Sequence, residues 1–287
     1  MKSKFGPGGN SLSFYEDGKK STAAAPEWLA KKGLDAYEYQ AGKGIFAHDE
    51  TLIKIGEKAK EYNIAMSLHA PYYISLSSAD PEKRENSIGY IIKSGKATDL
   101  LNGNLFVVHS GGAAKLDRET AMQYAEETLY KAAEAMSEEG INAKAGIEVM
   151  GKLNQLGTLD EVVRLCKISP KHFCPVVDFG HLYCRTNAGL KTTDDFKNVF
   201  HKISELGAEF ANNLHCHFSK MEFTSMGEKR HVTFADKGYG PDFEPLAEAI
   251  ADLGISPTII CESHGTMAED ALEMKNILSS VLESRAL

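Results

Sequence analysis

The sequence predicts an α/β fold: one (β/α)8 TIM barrel, spanning residues 1–287 as a single domain. Two observations predict it. Short apolar runs alternate with longer helix-like segments in eight strand-then-helix units. That alternation implies a parallel sheet, and a chain of this length is the usual size for an eight-unit barrel. Six of the runs are followed at once by an imidazole or a carboxylate: His69, His109, Glu148, Asp178, His215 and Glu262. In a parallel barrel every strand opens on one mouth, and chemistry sits there.

The strands are expected at 3–5, 36–40, 64–68, 105–108, 144–147, 173–177, 212–216 and 257–261, and the helices at 26–33, 49–62, 81–102, 118–139, 158–167, 193–206, 243–253 and 268–283. Asp80-Pro81-Glu82 offers an N-cap, a proline in the first helical position and an early acid. Thr158-Leu159-Asp160-Glu161 reads as a capping box. In 118–139, Ala121, Tyr124, Ala125, Thr128, Leu129 and Ala132 have the spacing of one buried stripe. Gly103 and Gly140 stand where helices stop. The longest irregular stretch, 217–242, is rich in Lys, Arg, His and Gly, and its place at the mouth makes it functional.

Hydrophobic content of 43% and charged content of 25% are those of an ordinary globular chain. The five cysteines show no C-x-x-C spacing, which points to free thiols in a reducing compartment. No window of 18 apolar residues exists, and the first residues lack the apolar core of a signal peptide, so no membrane partner and a cytoplasmic location are expected. A net charge of −8 argues mildly against nucleic acid, but a carboxylate-built metal site carries negative charge that cations offset.

Glu148, Asp178, His215 and Glu262 are the central candidates. Two Glu, one Asp and one His suit a hard or borderline cation, and a Glu can join two ions through its two oxygens. His69 and His109 end neighbouring strands beside Glu148. Asp178-Phe179-Gly180-His181 sets an acid and an imidazole three apart on one turn. His217 follows His215 by two and lies on the same side if the strand continues, as a supporting residue behind the ligands. His48, His172 and His201 are expected at the surface, His231 alone in its loop carries little weight, and His264 is left open.

Read together, these segments resemble endonuclease IV, the zinc-dependent apurinic/apyrimidinic endonucleases of the xylose-isomerase-like barrels, over nearly the whole chain. The similar motifs are His69-Ala70-Pro71-Tyr72-Tyr73-Ile74-Ser75-Leu76, Val108-His109-Ser110-Gly111, Gly146-Ile147-Glu148 with Gly157-Thr158, Val177-Asp178-Phe179-Gly180-His181, Leu214-His215 with Ser219-Lys220, Arg230-His231 with Gly240, and Cys261-Glu262. The resemblance implies three zinc ions. His69, His109 and Glu148 would hold the first. Glu148, Asp178, His215 and Glu262 would hold the second, and His181 and His231 the third. It implies hydrolysis of damaged double-stranded DNA 5′ to an abasic site by a monomer, with Glu148 as the catalytic bridging acid. Tyr72 and Tyr73 would meet the gap left by the base, and Lys220, Arg230 and Lys237 the phosphates.

Three segments depart from the pattern. Lys229 stands where the family has an aspartate, so the third site is expected to lose a carboxylate, with Glu228 or Asp236 as the acids within reach. Phe234-Ala235-Asp236-Lys237-Gly238 replaces a leucine-glycine-x-glycine pattern, and His217 replaces an asparagine-like position. The competing expectation is a sugar isomerase or epimerase of the same superfamily, using one Mn²⁺-type ion on Glu148, Asp178, His215 and Glu262. A third is a DNA-binding barrel without turnover.

Overall fold

The computed structural model describes residues 2–113 and 116–286. Among these described residues, ten strands follow in chain order: β1 (Lys4–Pro7), β2 (Ala36–Gln40), β3 (Ala65–His69), β4 (Leu105–His109), β5 (Lys144–Glu148), β6 (Phe173–Asp178), β7 (His215–Phe218), β8 (Lys220–Thr224), β9 (Gly227–Val232) and β10 (Thr258–Cys261). Eight of them form one sheet in the order β1-β10-β7-β6-β5-β4-β3-β2, with every pairing parallel. The sheet closes between β1 and β2 through a parallel bridge from Gly8 to Glu38 and bonds from Asp35 N to Phe5 O and Gly9 N to Glu38 O. Glycine is required at this seam, because a Cβ on Gly6 would strike the Ala36 carbonyl.

The helices pack outside. Asp80 caps the helix Pro81–Leu100 by accepting from Glu82 N, and Thr158 with Glu161 forms a reciprocal capping box at Leu159–Cys166. Between sheet and helices lies a layer of large side chains, with Phe106, Phe173, Phe179, Phe196 and Phe200 fully buried. Truncating one of these to Ala costs about 3–5 kcal/mol. Inside the barrel, Leu105, Val107 and Val176 form a small apolar floor. The space above it is polar.

Three expectations need correction. His172 is buried, bonded to Ser137 and Ser169, rather than at the surface. The seventh strand does not occupy 212–216, because a short helix takes Ala208–Asn212 and the strand runs from His215 to Phe218. Nor is 217–242 irregular. It holds the antiparallel hairpin β8–β9, which leans on the β5 loop through a bridge between Lys152 and Gly227. The cysteines are free thiols. Among the described residues, no helix is long and apolar enough to cross a membrane.

Candidate metal centre

Alternation along a parallel strand turns every second side chain into the barrel. At the strand ends this brings His69, His109 and Glu148 together. It also gathers Glu148, Asp178, His217 and Glu262, and a third set of Asp178, His181 and His231; within each set the donor atoms lie within 4.8 Å of one another. Glu148 belongs to the first two sets and is fully buried. Its Oε2 lies 3.4 Å from His109 Nε2 and 3.8 Å from His69 Nε2. Its Oε1 lies 3.0 Å from His217 Nδ1 and 3.7 Å from His181 Nδ1.

His215 is not in the group to which the resemblance assigned it. Cα pairing sets His217 beside Asp178 and His215 beside Val176, two residues deeper. His215 Nε2 meets Glu38 Oε2 at 2.9 Å instead. The error came from ending the strand at 216, which made His215 look terminal. Glu38 was missed altogether, since it sits inside its strand rather than after it. Its signal was an acid at an inward position of Ala36–Gln40.

A further carboxylate stands beside the third set despite Lys229. A register shift in the hairpin pairs Phe223 with Glu228 and Glu222 with Arg230, leaving Lys229 as an extra residue. Such a bulge offsets the alternation by one, so Glu228 and His231 face the same way. Glu228 Oε2 lies 3.4 Å from His181 Nε2. Gly151 makes the room: a Cβ there would come 2.6 Å from Glu228 Cβ and 3.1 Å from His181 Cδ2. Lys229 turns away to Glu222 at 2.5 Å, and Asp236 is taken up by Thr233.

The residues fit a cation cluster. Glu148 Oε2 and Asp178 Oδ2 are buried oxygens with no hydrogen-bond partner, both turned into the donor sets. Asp178 spends its other oxygen capping the helix Phe179–Arg185, accepting from His181 N at 2.8 Å. The rings are oriented from behind: His69 Nδ1 is 3.0 Å from Ala70 O, and His181 Nδ1 is 3.1 Å from Val149 O. A ring nitrogen held on a carbonyl carries the proton and leaves the other for a ligand. Beside Glu262 and His231 opens a cavity of about 380 Å³, also lined by Gln40, Ser263 and His264.

The charges oppose one another. Burial would lift the Glu148 carboxyl, but His217, His69 and His109 outweigh it and hold the group well below its usual range. Burial lifts Glu262, only partly offset by His217 and His231. Burial lowers His109 to about 4. It would lower His69 and His181 too, but Glu148 for the first and Asp178 with Glu148 for the second raise each to about 9. Both rings are therefore protonated at pH 7 when no cation is bound. Imidazole ligates only when neutral. Zinc added to metal-free protein in weak buffer at pH 7 is expected to expel protons, read with an indicator dye, and the release should shrink as pH rises through 9. Zinc uptake without proton release would contradict these charge states.

The other sequence candidates lie around the mouth. Tyr72 is 63% exposed and Tyr73 is 42% exposed. Their rings are 5.8 Å apart, and Tyr73 packs on Tyr90 at 4.8 Å. Arg230 is exposed and paired with Glu222 at 2.6 Å, while Lys220 meets Asp242 at 3.4 Å.

A family model described as a xylose isomerase-like TIM barrel matches residues 26–278. An uncharacterized protein of Methanocaldococcus jannaschii is 30% identical over 94% of this chain and 95% of its own. A probable endonuclease 4 of Persephonella marina is 27% identical over 64% of this chain and 65% of its own, less than two thirds of that relative's length. Among solved structures, a D-tagatose 3-epimerase-like protein superposes with a TM-score of 0.74 at 19% identity, covering 99% of this chain and 100% of that one. Endonuclease IV from Thermus thermophilus gives 0.71 at 19% identity, covering 98% and 99%. At that identity the two structures speak for the fold. With its family model running from the first barrel helix to the last, this chain belongs to the xylose isomerase-like TIM barrels.

Proposed function

We propose that the chain is a zinc-dependent phosphodiesterase of the endonuclease IV kind, cleaving double-stranded DNA 5′ to abasic sites from a cytoplasmic location. One observation carries the reading. Glu148 joins two donor sets, with His69 and His109 on one oxygen and His217 on the other. A single-ion sugar enzyme has no use for that many. Zn²⁺ held there supplies Lewis acidity and lowers the pKa of water towards about 7. The chain's own residues do the rest. Glu148 fixes the spacing of the donor sets. Tyr72 and Tyr73 offer exposed rings for stacking where a base is missing, and Arg230 and Lys220 offer charge to the flanking phosphates. Both cations are paired with acids, so binding requires an exchange of partners and weakens steeply with salt.

The test is metal analysis of purified protein together with cleavage of a duplex bearing one abasic site. Two to three zinc ions and incision on the 5′ side support the reading. One Mn²⁺ and no incision overturn it.

The second reading, a sugar epimerase, is favoured by one feature: Glu148, Asp178, His217 and Glu262 alone form a complete single-cation set. Conversion of a ketose by the metal-loaded protein would establish it.

The third site yields a separate prediction. Glu228→Gln is expected to lower bound zinc by one equivalent, measured by elemental analysis. Lys229→Asp is expected to leave zinc content unchanged, because Lys229 faces Glu222. A gain of zinc in Lys229→Asp would return the ligand role to position 229.

A further inference from the structure

We propose that Glu38 is a positioning residue, whose carboxylate beneath the mouth decides which nitrogen of His217 is offered to the cation cluster. The inference rests on the metal-centre reading and concerns a residue outside the family motifs.

Glu38 lies in the middle of β2 and is fully buried. Its Oε2 accepts from Ser67 Oγ at 2.9 Å and pairs with His215 Nε2 at 2.9 Å. Its Oε1 faces His217 Nε2 at 3.0 Å. The opposite edge of the same ring, Nδ1, faces Glu148 Oε1 at 3.0 Å and Glu262 Oε2 at 3.6 Å. His217 therefore spans acids of different use, Glu38 behind it and Glu148 with Glu262 among the ligands.

An imidazole binds a cation through a nitrogen without a proton, and the group opposite the other nitrogen sets which one that is. Nδ1 hydrogen-bonds Glu148 Oε1 at 3.0 Å in the absence of a cation; when a cation takes that place, a carboxylate behind Nε2 holds the remaining proton there and leaves Nδ1 as the donor. Nothing else among the described residues performs this task. Neither Glu38 Oε1 nor His217 Nε2 has a hydrogen-bond partner of its own, and each is set against the other as an ion pair. Ser67 and His215 occupy the second oxygen and keep the carboxylate from rotating away. This gives His215 its place in the molecule. It steadies the acid that steadies His217.

An ion bound directly by Glu38, His215 and His217 is the competing use of the same atoms, since their donors also lie within 4.8 Å. The two differ in what an amide does. Glutamine keeps an acceptor for His217 Nε2–H, while His215 turns to its other tautomer against the amide NH₂. A glutamine is a far poorer ligand than a glutamate.

The experiment compares the full chain with Glu38→Ala and Glu38→Gln, titrated with zinc against a chelator and then loaded with Co²⁺ for its visible absorption. Glu38→Ala is expected to weaken one zinc ion by roughly 10–100-fold and to alter the Co²⁺ band of that ion. The Gln variant should restore both. If the Ala variant does not fold, Glu38→Met fills the space without an acceptor and carries the same expectation. Wild-type affinity and spectrum in the folded Ala or Met variant overturn the proposal while leaving the metal centre standing. Loss of a whole equivalent in both Ala and Gln variants also overturns it, by making Glu38 a ligand. A wild-type chain that binds no divalent metal sinks the metal-centre reading and this proposal together.

Discussion

Glu148→Gln is expected to abolish turnover while leaving the barrel folded. The carboxylate stands at the junction of two donor sets, so one substitution damages both. Glutamine keeps the volume but has one oxygen, and its NH₂ faces either the His69 and His109 side or the His217 and His181 side. In neither pose can it hold cations on both edges. Activity should fall by roughly 1000-fold or more, about 4 kcal/mol in the barrier, and zinc content should drop by more than one equivalent. Folding responds differently. Burial opposes the Glu148 charge, and neighbouring histidines offset that cost only when protonated. A neutral isostere removes the Glu148 charge and its desolvation cost together, and the histidines it leaves can shed their protons at pH 7, which spares the site the cost of about 3–5 kcal/mol of an uncompensated buried charge. The unfolding midpoint of metal-free protein should move by no more than about 4 °C. Retention of more than about a tenth of activity, a barrier change of about 1.4 kcal/mol, would show that Glu148 does not join the two sets.

The sequence was most legible where local chemistry and the global fold agree. Helix starts with a proline or a capping box, as at Pro81 and Thr158, fell where expected because their signals are complete within four residues. Strands such as Leu105–His109 and Thr258–Cys261 are largely apolar runs whose limits are set by their own residues. The seventh strand was harder. Asn212-Asn213, which ends the short helix Ala208–Asn212, was read as the start of the strand, and His215-Cys216-His217-Phe218 alternates imidazoles where an apolar face was expected. Glu38 was hidden for a related reason. Its neighbours on the inward face are Ser67 and His215, which β3 and β7 bring from 29 and 177 residues away. Glu228 depended on a bulge, and a bulge is fixed by pairing partners rather than by the strand's own sequence. What escaped the reading was therefore register, the quantity that decides which side of a strand and which depth a side chain occupies.

Register is what the last prediction tests. With β7 running to Phe218, His217 reaches Glu148 and Glu262, while His215 lies beside Glu38. His217→Asn is expected to lose zinc and activity as deeply as Glu148→Gln, since it removes a donor nitrogen from the set shared with Asp178 and Glu262. His215→Asn is expected to keep the zinc stoichiometry and to lose about 10–100-fold in affinity for one ion, the scale for a group that supports a ligand from behind. Asparagine suits both positions, as it is smaller than imidazole, polar, and adds no charge to a buried site. Measuring the two variants side by side makes the order of the losses the result, whatever the absolute activity. The reverse order, with His215→Asn the more damaging, would mean that His215 is the ligand the motif Leu214-His215 implied. The strand would then sit two residues further towards the mouth than its pairing with Asp178 and Val176 shows.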